Sequence, residues 1–497
     1  MLETIKKEVR KHPLVYIILL LVLGICFFIR IYRVDEILGF YYDQGRDALV
    51  VWNFLHNHKF FLIGPTTGIE GVYRGPWYYW LIAPFYLIGK GNPVFPAVFL
   101  AFTTVIANIL VYVIASKMMD RKAGLFAAVI ASFSYYLLLS SRWLSNPTPM
   151  LLISMLLVLT MFLVVQGKKW AWLLIGFLIG MAMQFGSAAE LFYFPAVLIF
   201  GFFERKNLPS RRIIILSFSL IVFAFIPQII FNFIHDNVLL DALKRFLVDD
   251  KSFKLSFWAI VRGRLPFYED MLFTKVLPNE LSSRRVFEFI AFASLIFNFK
   301  TFWKSHYFRI LLVLLVSPLI GMLFFQGNYG NIYDYYFTGY YLIFILLFSV
   351  LILNFLPGKA RFVVPLIFLF IFLKQNLPSD INYNTVGIDG PTTIAFGNQK
   401  QAIDWIYNDA KGREFSVDSY VPPVIPYAYE YLFKWYGGTV HGYEPSSERI
   451  NPLYTLYEED PPHPERLEAW LARQKGIGKV EKEEKFGGIT VQRRTRL

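Results

Sequence analysis

The sequence predicts a polytopic α-helical membrane protein of about eleven spans with a small α/β domain at its C-terminus. Three observations predict it. Of 497 residues, 56% are hydrophobic and only 17% charged, with a mean hydropathy of +0.46; soluble domains carry about a quarter charged residues. Basic residues fall in every second short loop, as membrane topology demands. From Gln375 onward the composition turns polar, with 14 basic and 17 acidic residues.

The spans are read at 14–31, 94–116, 124–139, 150–165, 170–184, 191–203, 213–234, 286–302, 310–325, 340–356 and 362–373. One set of loops holds Lys6/Lys7/Arg10/Lys11, Lys117/Arg121/Lys122, Lys168/Lys169, Arg205/Lys206/Arg211/Arg212, Lys300/Lys304/Arg309 and Lys359/Arg361. The alternate short loops hold little basic charge beyond Arg142. The positive-inside rule therefore puts the N-terminus in the cytoplasm, and an odd span count puts the C-terminal domain outside. The basic N-terminal segment followed by an apolar run reads as a retained signal anchor.

The net charge of +13 and pI near 9.4 raise nucleic-acid binding, but the excess lies in the loops of the hydrophobic part and forms no stripe. No nucleic acid is expected. Cys26 is the single cysteine, so no disulfide or cysteine-rich zinc site forms within one chain. The seven histidines show no metal-ligand spacing; no cofactor is certain, and a divalent metal stays open without a ligand cluster to support it. No Asn-X-Ser/Thr acceptor occurs with a permitted middle residue, which favours a prokaryotic cell membrane.

Residues 1–374 thus form the membrane domain and 375–497 an extracytoplasmic α/β domain. Two outer loops are long, 32–93 and 235–285, and loops of that length usually carry function. In the first, helices are expected at 43–56 and 77–88. In the C-terminal domain, helices are expected at 400–409, 427–436 and 464–474, a strand at 414–421 and an edge strand at 485–493.

The first outer loop carries Tyr41-Tyr42-Asp43-Gln44-Gly45-Arg46-Asp47, then Tyr73-Arg74-Gly75-Pro76-Trp77-Tyr78-Tyr79-Trp80-Leu81. On a helix, Asp43, Arg46 and Asp47 share one face. One reading makes Asp43 an N-terminal cap beside a surface ion pair. The other makes it a general base next to a guanidinium that faces a lipid phosphate. Arg142 is the lone basic residue of its outer loop, either a phosphate clamp or a snorkelling side chain. Glu190, at a span edge, is a functional carboxylate or a helix cap. Asp334, Tyr335 and Tyr336 form a turn that is either a secondary or acceptor site or an interfacial anchor.

These motifs resemble the GT-C class of membrane glycosyltransferases, in particular the protein O-mannosyltransferase and aminoarabinose-transferase branch that uses polyprenyl-phosphate sugars. Its members open the first outer loop with an Asp-Glu-X-Arg-Tyr-Ala-like element, followed by a Lys-Pro-Pro-Leu-X-Tyr-Trp-Leu-like one. Asp43 falls on the catalytic Asp, Arg46 on the Arg, Arg74 on the Lys, and Pro76 with Tyr79-Trp80-Leu81 on the remainder. Gln44 stands where an acidic residue is common. Ser141-Arg142-Trp143-Leu144-Ser145-Asn146-Pro147 resembles the Arg-containing loop of the family, with Asn146 where some members have Asp. Tyr333-Asp334-Tyr335-Tyr336-Phe337 resembles an Arg-Tyr element without its Arg.

The resemblance implies transfer of a sugar, with inversion, from a polyprenyl-phosphate carrier to a lipid, glycan or protein acceptor on the outer face. Asp43 would be the general base, and Arg46, Arg74 and Arg142 would bind the donor phosphate. Asp47, Glu190, Asp334, Tyr335 and Tyr336 would line an acceptor or secondary site. The rivals are a transporter or flippase for lipid-linked sugars and a polysaccharide ligase or polymerase with a lipid-diphosphate donor. A transporter should show repeat-related halves and ionisable residues at span centres; a ligase should place its large outer loop late. The sequence shows neither. The topology is testable with fusions at the C-terminus: a phosphatase active only outside should work, and a fluorescent protein that folds only in the cytoplasm should stay dark.

Overall fold

The computed structural model describes residues 2–249, 256–325, 330–386, 388, 390–423 and 425–497. Residues 250–255 of the second long outer loop, and 326–329 ahead of the Tyr-rich turn, lie outside the described residues. A short helix α1 (Leu2–Lys11) precedes α2 (Pro13–Ile31), which Pro13 starts at a position where no N–H is needed. The first outer loop folds into α3 (Val34–Ile37), α4 (Tyr42–Asn57) and α5 (Trp77–Ile88). The bundle continues with α6 (Val94–Met118), α7 (Arg121–Phe133), α8 (Tyr135–Arg142), α9 (Met150–Val165), α10 (Ala171–Phe185), α11 (Tyr193–Phe203) and α12 (Arg211–Ile234).

The second outer loop contributes α13 (Val238–Lys244) and α14 (Phe257–Phe273). Then come α15 (Leu281–Phe297), α16 (Phe299–Lys304), α17 (His306–Gly321), α18 (Tyr341–Leu353) and α19 (Val363–Thr385). The predicted spans fall on helical segments, with 124–139 and 286–302 each divided between two helices. Among the described residues six helices are long and apolar enough to cross a bilayer, seven if the bent pair α7–α8 is one span.

That pair is where the structure departs from the straight helix expected over 124–139. The chain turns by 62° at Ser134. The Ser134 hydroxyl caps α8 by accepting from the Leu137 N–H and donates to the Lys275 carbonyl at 2.6 Å, so the break is held by a bond to the second outer loop. The last membrane helix also runs past the composition change at Gln375, to Thr385. Its final turns carry the polar residues Asn376, Asp380 and Asn384 on a buried face.

The C-terminal domain packs α20 (Phe396–Ala410) on a four-stranded sheet. The strands are β1 (Ser416–Tyr420), β2 (Leu453–Glu458), β3 (Gly478–Phe486) and β4 (Ile489–Arg496), in the order β1-β2-β4-β3. β1 and β2 are parallel; β2 with β4, and β3 with β4, are antiparallel. α21 (Tyr427–Leu432) lies in the β1–β2 crossover and α22 (Pro464–Ile477) between β2 and β3. The predicted edge strand over 485–493 is therefore a hairpin. Gly487, at φ +59°, and Gly488 make its turn, β4 is an inner strand, and β3 is the edge. β2 had no counterpart in the sequence reading.

The domain is bonded to both ends of the first outer loop. Near its start, Phe396 N–H donates to the Leu38 carbonyl, Gln399 Nε2 to the Phe40 carbonyl and the Tyr41 hydroxyl to the Ile394 carbonyl, at 2.9–3.1 Å. Near its end, the Tyr431 hydroxyl and Trp435 Nε1 donate to the Gly91 and Lys90 carbonyls. Between them α21 lies directly on α4. A Cβ at Gly45 would sit 2.3 Å from the Ala428 nitrogen. Gly45→Ala should therefore loosen the docked domain by about 1–3 kcal/mol. Gly438→Ala, where a Cβ meets nothing closer than 3.9 Å, should be silent. Limited proteolysis and thermal melting in detergent read both.

Candidate active site

Local chemistry fixes the first turn of α4. Tyr41 is its N-cap, and the Gln44 side chain reaches back to accept the Tyr41 N–H at 3.1 Å. The capping reading of Asp43 is thus corrected: Asp43 lies within the helix, one residue past its start, and the task of the cap falls to Tyr41 and Gln44. Gln44 also donates to the Leu144 carbonyl at 3.2 Å.

Asp43, Arg46 and Asp47 are brought together as their spacing predicts. Arg46 Nη1 pairs with Asp43 at 2.9 Å, while its Nε and Nη2 grip Asp47 Oδ1 at 3.0 and 2.8 Å. The two carboxylates differ in setting. The side chain of Asp43 is 54% exposed and that of Asp47 6%. The Tyr79 hydroxyl, from α5, donates to the same Asp47 oxygen at 2.9 Å.

Burial pushes Asp47 up to about 6, against the opposing pull of Arg46 and the Tyr79 hydroxyl. Burial would lower Arg46, but the Asp47 and Asp43 carboxylates outweigh it and hold the guanidinium above its usual range. Arg46 therefore stays charged and is shared by two acids.

The arm carrying Arg74 is pinned from below. Thr66 pairs with Tyr73, Arg46 Nη1 reaches the Thr66 hydroxyl at 3.5 Å, and Arg74 N–H donates to the Pro65 carbonyl. Gly75 N–H donates to Gln184 Oε1 at 2.6 Å; Gln184 donates to Gln228 at 2.9 Å, and Gln228 to the Tyr73 carbonyl at 2.8 Å. A Cβ at Gly75 would strike Gln184, so glycine is needed there. Arg74 Nη1 bonds the Gly186 carbonyl, and its buried Nε has no partner. Burial lowers Arg74, and Glu190, Tyr335 and Tyr336 lie within electrostatic range.

Glu190 is buried and its Oε2 accepts the Ser187 N–H at 2.5 Å, so it does cap, but inside the protein rather than in water. Asp334 pairs with Lys275 at 2.8 Å and accepts the Tyr341 hydroxyl at 2.6 Å. Tyr335 stacks on Tyr333, ring centroids 5.7 Å apart, and meets Trp143 edge-on at 5.5 Å. Tyr336 packs against Phe325 and Tyr335.

Arg142 is not brought to this group. Its guanidinium donates to the Ile29 and Tyr32 carbonyls and to Asn384 Oδ1, at 3.0, 3.1 and 2.7 Å. It ties the outer end of α2 to α19.

The sequence reading missed Lys275 and Arg264. Lys275 is almost fully buried between the rings of Tyr136 and Tyr341, each 4.6 Å away. Burial depresses its ammonium, and Asp334 offsets only part of that effect. Arg264 Nη2 donates to the Phe325 carbonyl at 2.7 Å, and its buried Nη1 has no partner. The available signal for Lys275 was a basic residue set directly before the apolar Val276-Leu277 in the second long loop. Among the described residues no group of three or more His, Cys, Asp or Glu could hold a metal ion.

The sign of the Asp47 shift gives a stability test. A carboxyl raised from about 3.8 to about 6 binds more protons folded than unfolded between those values. Its contribution to stability is full below about pH 4 and is lost as pH rises through about 6, by an amount on the order of 3 kcal/mol. The Asn amide resembles the protonated carboxyl, so melting temperatures of wild type and Asp47→Asn, measured across that window in detergent, should lie closest at the acid end and diverge, with wild type falling relative to the variant, as pH rises through about 6.

Comparison with known proteins follows the same lines. Residues 73–231 match the family model described as dolichyl-phosphate-mannose-protein mannosyltransferase. No protein of curated function matches the chain by sequence. ArnT from Cupriavidus metallidurans in the apo state superposes with a TM-score of 0.60 at 8% identity, covering 96% of this chain and 97% of that one. The same protein bound to undecaprenyl phosphate gives 0.55 at 9% identity, with the same coverage. The oligosaccharyltransferase AglB from Archaeoglobus fulgidus, in complex with an inhibitory peptide and a dolichol-phosphate, gives 0.50 at 13% identity, covering 98% and 75%. The GT-C resemblance read from the first outer loop is borne out, and the fold is ArnT-like.

Proposed function

We propose that the chain is an integral-membrane glycosyltransferase that moves a sugar from a polyprenyl-phosphate carrier to an acceptor on the outer face, with inversion. The observation that carries this reading is Asp43, an exposed carboxylate held by a guanidinium that a buried second carboxylate anchors. Two neighbours support it: ArnT, in complex with undecaprenyl phosphate, and AglB, in complex with a dolichol-phosphate. The N-terminus is taken as cytoplasmic and the C-terminal domain as extracytoplasmic, as the loop charges direct.

The chemistry is a displacement at the anomeric carbon. Asp43 takes the proton of the acceptor hydroxyl as its oxygen attacks. The bond from the anomeric carbon to the phosphate oxygen breaks, and the carrier phosphate leaves with the electron pair. Positive groups near that oxygen stabilise the charge that develops there. Arg74, whose Nε has no partner in the protein, is the principal candidate. Lys275 is a second, because a phosphate can replace Asp334 as its anion. Arg46 acts chiefly by holding Asp43. Arg142 drops from the phosphate set because its Nη1 and Nη2 are taken up by α2 and α19.

Asp43→Asn tests the assignment. It preserves size and the helix, whose cap lies at Tyr41, but cannot accept the proton. Turnover with a lipid-phosphate sugar should fall by roughly 10² to 10⁴, with donor binding and melting temperature nearly unchanged. A purified variant that turns over at close to the wild-type rate would exclude Asp43 as the base and leave Asp47 next in line.

A further inference from the structure

The outer half of α19 presents polar side chains to the protein interior at four-residue intervals: Asn376, Asp380 and Asn384, all at most 6% exposed. Such a stripe on a membrane helix needs partners, because unpaired polar groups there are costly. Its two ends have them. Asn376 accepts the Tyr135 N–H at 2.9 Å and donates to the Val276 carbonyl at 3.1 Å, beside Lys275. Asn384 accepts from Arg142, which holds the Ile29 and Tyr32 carbonyls at the outer end of α2. From there the chain runs through α3 to Asp43. The same helix face thus fastens the loop that carries Asp43 and the loop that carries Lys275.

Asp380, at the centre, has no direct partner. Neither carboxylate oxygen makes a hydrogen bond, and among the described residues it forms no ion pair. Two buried guanidiniums stand nearby. Arg30 lies within electrostatic range of Asp380, and Arg142 within range of Arg30. Arg30 bonds the Ser132 and Cys26 carbonyls, yet its Nε and that of Arg142 are buried without partners, as is Asn108 Oδ1. Two unpaired donors and three unpaired acceptors are therefore buried in one region, around charges that do not touch. Ordered water with two to four polar partners satisfies such a set.

We propose that α19 is a water-bridged brace that sets the two outer loops relative to each other, with Asp380 as a positioning residue for transfer. This rests on the glycosyltransferase reading. Asp380 balances Arg30 and Arg142 through water; without its charge the two guanidiniums repel across the same space, and the ends of α2 and α19 separate. Misplacement of about 1 Å at a reacting centre costs on the order of 10²-fold in rate.

The test joins kinetics to distance. Asp380→Asn should lower kcat roughly 10- to 100-fold and leave the donor KM within about twofold. Asp380→Glu, which keeps the charge, should recover most of the rate. Spin labels at Asn57→Cys on α4 and Leu265→Cys on α14 read the loops themselves, since Cys26 is fully buried. Their distance distribution should be narrow in the otherwise native chain and shifted or broadened by Asp380→Asn. An unchanged distribution, or an unchanged kcat, overturns the proposal. Should Asp380→Asn fail to accumulate, Asn384→Ala, which removes a single Arg142 contact, carries the same forecast in both readouts. If the wild type transfers no sugar from any lipid-phosphate donor, the glycosyltransferase reading fails, and the distance measurement alone decides the brace.

Discussion

The arrangement of the site depends on one guanidinium shared by two acids. Arg46 lies between an exposed and a buried carboxylate, and each of its faces has a different task. Asp47 is paid for by Arg46 and Tyr79, since a buried carboxylate is tolerated only when it is paired and hydrogen-bonded. Breaking such a pair costs about 3–5 kcal/mol, so Arg46 is held firmly on the Asp47 side. Asp43 inherits that rigidity. An exposed acid on a surface helix would ordinarily sample several rotamers, and surface ion pairs hold weakly. Here its partner is gripped by the buried Asp47, so the exposed carboxylate is also held in direction.

The same principle extends to the loops around it. Membrane helices offer few partners to polar groups, so most of those buried near the loops are tied to something specific. Gln184 and Gln228 relay a bond from two helices to both sides of Arg74, through Gly75 and the Tyr73 carbonyl. Ser134 breaks a helix and bonds the Lys275 carbonyl across the break. Arg142 closes the last carbonyls of α2, which a helix end leaves without partners. In each case a polar side chain of the bundle fixes the backbone of a neighbouring segment.

How much of this was legible in the sequence follows from the range of the interactions. Asp43, Arg46 and Asp47 lie within one helical turn, so their grouping could be read from spacing alone. The likeness to the glycosyltransferase motifs worked for the same reason, since it rests on short contiguous elements. Arg142 and Asn384 are 242 residues apart, and Lys275 and Asp334 are 59 apart; nothing local announces either pair. Arg142 was read as a phosphate ligand because a lone outer arginine has no visible partner in one dimension. The domain boundary was set at Gln375 because polar residues begin there, yet Asn376, Asp380 and Asn384 are polar and buried. β2 was missed because Leu453-Tyr454-Thr455-Leu456 is buried on both faces and so lacks the alternation that marks a half-exposed strand.

The docking of the C-terminal domain completes the argument about Asp43. Three independent constraints meet within the first turn and a half of α4: the Tyr41–Gln44 cap, the Arg46–Asp47 pair, and the backbone of α21 against Gly45. The first is local, the second joins α4 to α5 through Tyr79, and the third joins α4 to a domain more than 380 residues later in the sequence. A glycine at position 45 is what allows two backbones to close to that distance, and it places the Tyr42 ring 5.0 Å from that of Tyr427. The C-terminal domain therefore packs on the Tyr42 and Gly45 side of α4 and helps to fix the turn from which Asp43 projects.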